Sequence, residues 1–96
     1  MQSYICLLRW THKGLEDIED SPSRLDAARK AFESAGVTMK SFFMVMGQYD
    51  IVAVMEAPND DSMARAMLSV AKKGAIHSET MRAFTESEYR RIVSSL

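Results

Sequence analysis

Hydrophobic residues along this chain switch between two periods, and the switches mark its elements. Residues 3–10, Ser-Tyr-Ile-Cys-Leu-Leu-Arg-Trp, combine β-formers with an apolar run and predict a first strand that closes at Thr11-His12-Lys13-Gly14. The acidic stretch from Gly14 to Asp20 carries Leu15 and Ile18 three residues apart, which suits one helical turn tucking two apolar side chains inward. Ser21-Pro22 then opens a helix over about 22–35, with serine as cap and proline at the first position, where its missing N–H costs nothing. Leu25, Ala28, Phe32 and Ala35 share the inner face of that helix, Asp26 and Lys30 have i,i+4 spacing on the other, and Gly36 stops it.

From Val37 to Met46 the period becomes two, and a second β-forming run from Tyr49 to Ala57 follows after only Gly47-Gln48. Two intervening residues with glycine first suit a type II′ turn, so strands two and three are expected as a tight antiparallel hairpin. Pro58 ends it, and Asn59 or Asp60 caps a helix reaching about Lys73, with Met63, Met67, Val70 and Ala71 inward and Gly74 as its stop. Residues 75–84 alternate only in part and make a fourth strand. Thr85 and Glu88 have the spacing of a capping box, so a short last helix follows with Tyr89, Ile92 and Val93 inward.

The order β-α-β-β-α-β plus a terminal helix is the α+β, ferredoxin-like arrangement: a four-stranded antiparallel sheet with both long helices on one face and strands one and three in the middle. Residues 1–96 read as a single domain without repeats or linkers. The face away from the helices needs its own explanation. Strand three offers Asp50, Val52, Val54 and Glu56 on one side and Ile51, Ala53, Met55 and Ala57 on the other, while strand two offers Phe43 and Val45 against Phe42, Met44 and Met46. Both sheet faces therefore read as buried, and the chain supplies one layer of helices. The missing cover is expected from a second copy, as a homodimer or higher oligomer.

Composition narrows the partners. At 96 residues with 47% hydrophobic content, the chain can build a core without a disulfide or metal staple. Twelve basic against thirteen acidic residues leave a net charge of -1, which gives no long-range pull toward nucleic acid or a membrane surface. An RNA-recognition sheet needs aromatics on both central strands, and Ile51 to Glu56 contains none. Cys6, the one cysteine, sits in an apolar run and reads as a small core residue. Arg9 and His12 interrupt any signal-peptide pattern, and runs such as Phe42–Met46 fall far short of the roughly 20 residues that span a bilayer, so the expected location is cytoplasmic. Methionine is over-represented, with eight residues, and Met39, Met44, Met46 and Met55 fall in the central hairpin while Met81 lies on strand four. Such side chains fill cores or line deformable pockets and interfaces.

The candidate chemistry is sparse. Tyr49-Asp50 puts a phenol and a carboxylate on opposite faces of a strand start, either as a polar anchor at a pocket mouth or as hairpin construction in which Asp50 accepts turn N–H groups. Glu56 on strand three and Arg82 on strand four could face each other as an ion pair or hold a ligand carboxylate. His77 and Glu79 share one side of strand four, a conceivable proton-transfer pair, and His12 is the other imidazole; no spacing suggests a metal motif. Trp10 ends strand one as packing or interface residue. No phosphate loop, nucleophile elbow or CxxC is present, so no cofactor is expected.

Read together, Trp10-Thr11 with Gly14, Ser21-Pro22-Ser23-Arg24, Met46-Gly47-Gln48-Tyr49-Asp50, Glu56-Ala57-Pro58 and Thr80 with Arg82-Ala83-Phe84 give a chain that resembles the GYD domain family over essentially its whole length. Gln48 separates Gly47 from Tyr49, so the motif stands here as Gly-x-Tyr-Asp. The resemblance implies a dimeric α/β barrel, in which two ferredoxin-like sheets pack by their open faces; it assigns no reaction and no catalytic residue. Relatives by fold include cofactor-free monooxygenases, isomerase-like and dechlorinating enzymes, and small-ligand or regulatory modules. Two functions follow as expectations. The first is a homo-oligomeric module that binds a small organic ligand or serves assembly, with Trp10, Tyr49, Asp50, Glu56, His77 and Arg82 as candidate binding residues. The second is a cofactor-independent enzyme, monooxygenase- or isomerase-like, acting on an aromatic or quinone-like substrate through His77, Tyr49 or Arg82.

Overall fold

The computed structural model describes residues 1–96. The chain runs β1 (Gln2–Trp10), α1 (His12–Glu16), a 3-10 turn (Ile18–Asp20), α2 (Ser21–Ser34), β2 (Thr38–Met44), β3 (Ile51–Ala57), α3 (Asp60–Ala71), β4 (Ile76–Ala83) and α4 (Glu86–Ser94). The strands lie in the order β2-β3-β1-β4, all neighbours antiparallel, which is the expected ferredoxin-like sheet with β1 and β3 central. No helix is long and apolar enough to cross a membrane.

Local chemistry accounts for most boundaries. The Asn59 side chain accepts the Ser62 N–H at 2.9 Å and starts α3, and Thr85 with Glu88 forms the complete capping box of α4. Gly36 and Gly74 follow α2 and α3 with φ of 80° and 87°, the left-handed conformation that a side chain resists. The α2 start differs from expectation. The 3-10 turn runs straight into it, so Asp20 holds the cap position without a side-chain hydrogen bond and Ser21 is already helical. In α1 the inward residue is Gly14, while Leu15 is exposed and Ile18 half-buried, so the anticipated apolar pair does not tuck in.

Alternation sorts the sheet into two faces. Tyr4, Cys6 and Leu8 of β1 and Ile51, Ala53, Met55 and Ala57 of β3 pack beneath Phe32 of α2 and Met63 and Met67 of α3. The opposite face carries Ile5, Leu7, Val52 and Val54 at its centre, half-buried, with Phe43 60% exposed beside them. Phe42 packs against the core instead. The expectation that both faces are buried holds for the helix side only, because nothing in the chain covers the other.

Two further readings are corrected. The hairpin connection is Val45–Asp50 and not a two-residue turn, and Gly47 lacks the positive φ that a type II′ turn requires. The loop is instead anchored across the sheet: Asp50 N–H donates to the Leu8 carbonyl at 2.9 Å and Arg9 Nε to the Gln48 carbonyl at 2.7 Å. The terminal helix α4 is amphipathic as foreseen, yet Tyr89, Ile92 and Val93 are exposed, since the helix continues past β4 without a layer to rest on. The methionines divide in the same manner: Met55, Met63 and Met67 are buried, whereas Met44, Met46 and Met81 are exposed.

Candidate functional site

The six candidate residues do not converge on one pocket. Trp10, the last residue of β1, is half-buried against the core on the helix side. Its backbone N–H donates to Asp50 Oδ2 at 3.0 Å, so the Asp50 carboxylate fixes the end of β1 and accepts no N–H from its own turn. Tyr49 lies elsewhere. Because neither Tyr49 nor Asp50 belongs to a strand, alternation does not apply to them, and the Tyr49 ring lies under the Arg9 guanidinium, 4.7 Å from its centroid. The Tyr49 hydroxyl donates to Glu79 Oε2 at 3.0 Å, and that bond to a carboxylate raises the phenol's pKa. His77 stands opposite Arg9 across the β1–β4 ladder, so Arg9, Tyr49, His77 and Glu79 form a polar rim at one end of the open face.

Glu56 and Arg82 do not meet. Glu56 pairs in register with Ser3 on the open face and has Lys40 Nζ at 3.9 Å, while Arg82 pairs with Tyr4 on the helix side. Strand β1 and the sheet itself separate them. Arg82 instead lies over the Phe84 ring at 4.4 Å and has Glu88 at 3.8 Å, tying the end of β4 to the start of α4. A proton-handling set of His77, Tyr49 and Arg82 is thus split between two faces. Beside Arg82, the buried Tyr4 hydroxyl reaches Asp60 Oδ1 at 2.5 Å; burial first, then that carboxylate, push its pKa up to about 12. Burial likewise raises the Cys6 thiol.

A different set of residues, at the Trp10 end, builds a continuous structure. Thr11 N–H donates to the Ala75 carbonyl at 3.0 Å, Thr11 Oγ1 to the Gly74 carbonyl at 2.6 Å and Lys13 Nζ to the Lys73 carbonyl at 3.0 Å. Gly14 approaches so closely that a Cβ there would lie 2.2 Å from the Ala75 oxygen. Arg24 then donates to the Asp17 carbonyl at 2.9 Å and the Gly14 carbonyl at 3.2 Å. These bonds clamp α1 between the start of α2 and the turn after α3. Inside the clamp, between helices and sheet, is a cavity of about 140 Å³ lined by 18 residues, 15 of them hydrophobic; the other three are Ser21, Arg24 and Lys73. Of the candidates, only Trp10 lines it.

The cavity-lining bases were missed from sequence. Arg24 had a signal: it precedes Ala28 by four residues and so shares the inner face of α2. Nothing in the sequence around Lys73 separates it from Lys72.

Comparison with known proteins agrees with this architecture. The chain is 33% identical over 84 residues, 86% of its own length and 88% of the relative's, to a Thermus thermophilus protein named glutamine synthetase and cystathionine beta-lyase binding protein. Among solved structures, that of FFRP-DM1 superposes with a TM-score of 0.60 at 17% identity, covering 88% of this chain and all 100% of that one. A further structure, of a Thermus thermophilus protein, gives a TM-score of 0.57 at 18% identity, covering 88% and 95%. A homoserine dehydrogenase from Thiobacillus denitrificans gives 0.55 at 14% identity over 83% of this chain but only 16% of the enzyme, so the likeness is to one part of it. These structural likenesses establish the fold. Residues 4–93 match the family model described as GYD domain, and the chain belongs to that family.

Proposed function

We propose that the protein is a small binding and assembly module, in which two copies pair through their open sheet faces and the pair docks on a partner protein. The uncovered apolar face carries this reading: Ile5, Leu7, Val52 and Val54 with the exposed Phe43 and Met81 form one contiguous strip. Such a strip is the usual mark of an interface. Its rim is charge-balanced, with Arg9 and Lys40 against Glu79 and Glu56, so a second copy meets it without net repulsion. The apolar side of α4, with Tyr89, Ile92 and Val93, is likewise unpartnered within the chain and adds contact area for a neighbour.

The partner protein is suggested by the Thermus relative, whose name gives it glutamine synthetase and cystathionine beta-lyase as binding partners. Native mass spectrometry and light scattering test the pairing. The wild type is expected above monomer mass at micromolar concentration, and Phe43→Glu and Val54→Glu are expected as folded monomers by circular dichroism; a monomeric wild type overturns the reading. Co-elution with purified glutamine synthetase or cystathionine beta-lyase tests the docking, and failure with both removes that part.

A further inference from the structure

We propose that the partly open cavity between α2, α3 and the sheet is a binding site for a small apolar carboxylate lacking an amino group, of the size of a monocyclic aromatic acid. This does not depend on the proposed pairing, because the cavity lies on the opposite side of the sheet from the open face. Size sets the first bound. An apolar cavity of about 150 Å³ accommodates a benzene-sized molecule, and this one is about 140 Å³. Protein interiors are otherwise close-packed, so apolar walls left uncovered over that volume lack contacts that a ring would supply. Trp10, Phe32 and Phe42 supply aromatic walls, and Met39, Met55 and Met67 supply adaptable ones.

Charge sets the second bound. The only charged side chains in the lining are Arg24 and Lys73, and both are basic. Antiparallel placement of the two helices brings the start of α2, with Ser21 and Arg24, beside the end of α3, with Lys73 just beyond it, so the polar groups gather at one end. Arg24 gives one N–H each to the Asp17 and Gly14 carbonyls, and a guanidinium has five. Lys73 is exposed and forms no ion pair within the chain. No acidic side chain lines the cavity to receive an ammonium group, which separates a simple carboxylate from an amino acid. The clamp of Thr11, Lys13 and Gly14 onto the residues 73–75 turn fixes the segment that carries Lys73 and Ala75 of the lining.

Trp10 is the only tryptophan and lines the cavity, so its fluorescence reports occupancy directly. The full chain is titrated with phenylacetate and with its neutral isostere phenylacetamide. A saturable change is expected for both, with the acid bound about tenfold more tightly, as a charge-assisted contact provides. Lys73→Gln is expected to reduce that preference while leaving the amide's affinity in place. Ala28→Phe, which fills the cavity from α2, is expected to abolish both responses; circular dichroism checks its fold, and if it does not fold, Lys73→Gln decides. Phe43→Glu is expected to bind as the wild type does, so failed pairing and failed binding are read apart. Absence of a saturable response to phenylacetate in the millimolar range, equal affinity for acid and amide, or an acid preference untouched by Lys73→Gln overturns the proposal.

Discussion

The two faces of the sheet are built from the same strands and differ in what completes them. On the helix side, β1 and β3 place Tyr4, Cys6, Leu8, Ala53 and Met55 under α2 and α3, and the chain finishes its own core there. On the open side, the same strands place Ile5, Leu7, Val52 and Val54 in a strip that the chain leaves half-covered. A residue's worth to stability is therefore set by parity along the strand more than by its hydrophobicity. One position separates Met55, 1% exposed, from Val54.

That contrast can be broken at its strongest point first. Met55→Ala is expected to cost about 2–5 kcal/mol of unfolding free energy in chemical denaturation, as truncation of a fully buried side chain does. Val54→Ala, measured at concentrations where the protein is monomeric, is expected to cost under about 1 kcal/mol, since its side chain is already partly in water. Similar costs for the two would erase the distinction between the faces. Gly14→Ala comes next: its methyl would collide with the Ala75 carbonyl, and relief of such overpacking typically costs about 1–3 kcal/mol. A melting temperature unchanged by that substitution would show that the α1 clamp yields freely.

The helix side also carries a pH dependence. Tyr4 has its phenol pKa raised from 10.0 to about 12, first by burial and then by Asp60. The folded state holds this proton more tightly than the unfolded chain, so the contribution is complete below pH 10 and is lost as pH rises toward about 12. Thermal melts across that window are expected to fall more steeply for the wild type than for Tyr4→Phe. Parallel slopes would remove Tyr4 as the cause.

How much of this was legible in the sequence depended on whether the deciding interaction was local. The capping box of Thr85 and Glu88, the Asn59 cap and the glycine stops at Gly36 and Gly74 are encoded within a few residues, and each stands where the pattern put it. The element order and the inward side of α3 follow from periodicity alone, whereas β3 is apolar on both sides and its pattern does not say which side meets the helices. The hairpin loop was not legible, because Leu8, Arg9 and Trp10, some forty positions upstream, hold it by hydrogen bonds that no local turn rule contains. The α4 stripe is apolar as its spacing predicts yet faces outward, since periodicity shows which side of a helix is apolar but not whether anything lies beneath it. Glu56 and Arg82 were separable in principle. Glu56 is out of phase with Ile51, Ala53 and Met55, while Arg82 is in phase with Ile76, which packs against the core.

The register of β2 shifts between Met39 and Ser41, leaving Lys40 at a bulge in the sheet's outermost strand. A kinked edge bearing an ammonium group is a poor template for adding a further strand, so copies of the chain are turned away from end-to-end polymerisation along that border. The proposed pairing through the open faces, by contrast, uses the apolar strip of both copies and leaves none for a third. A small irregularity in one strand thus guards that border of the sheet against growth into a fibre.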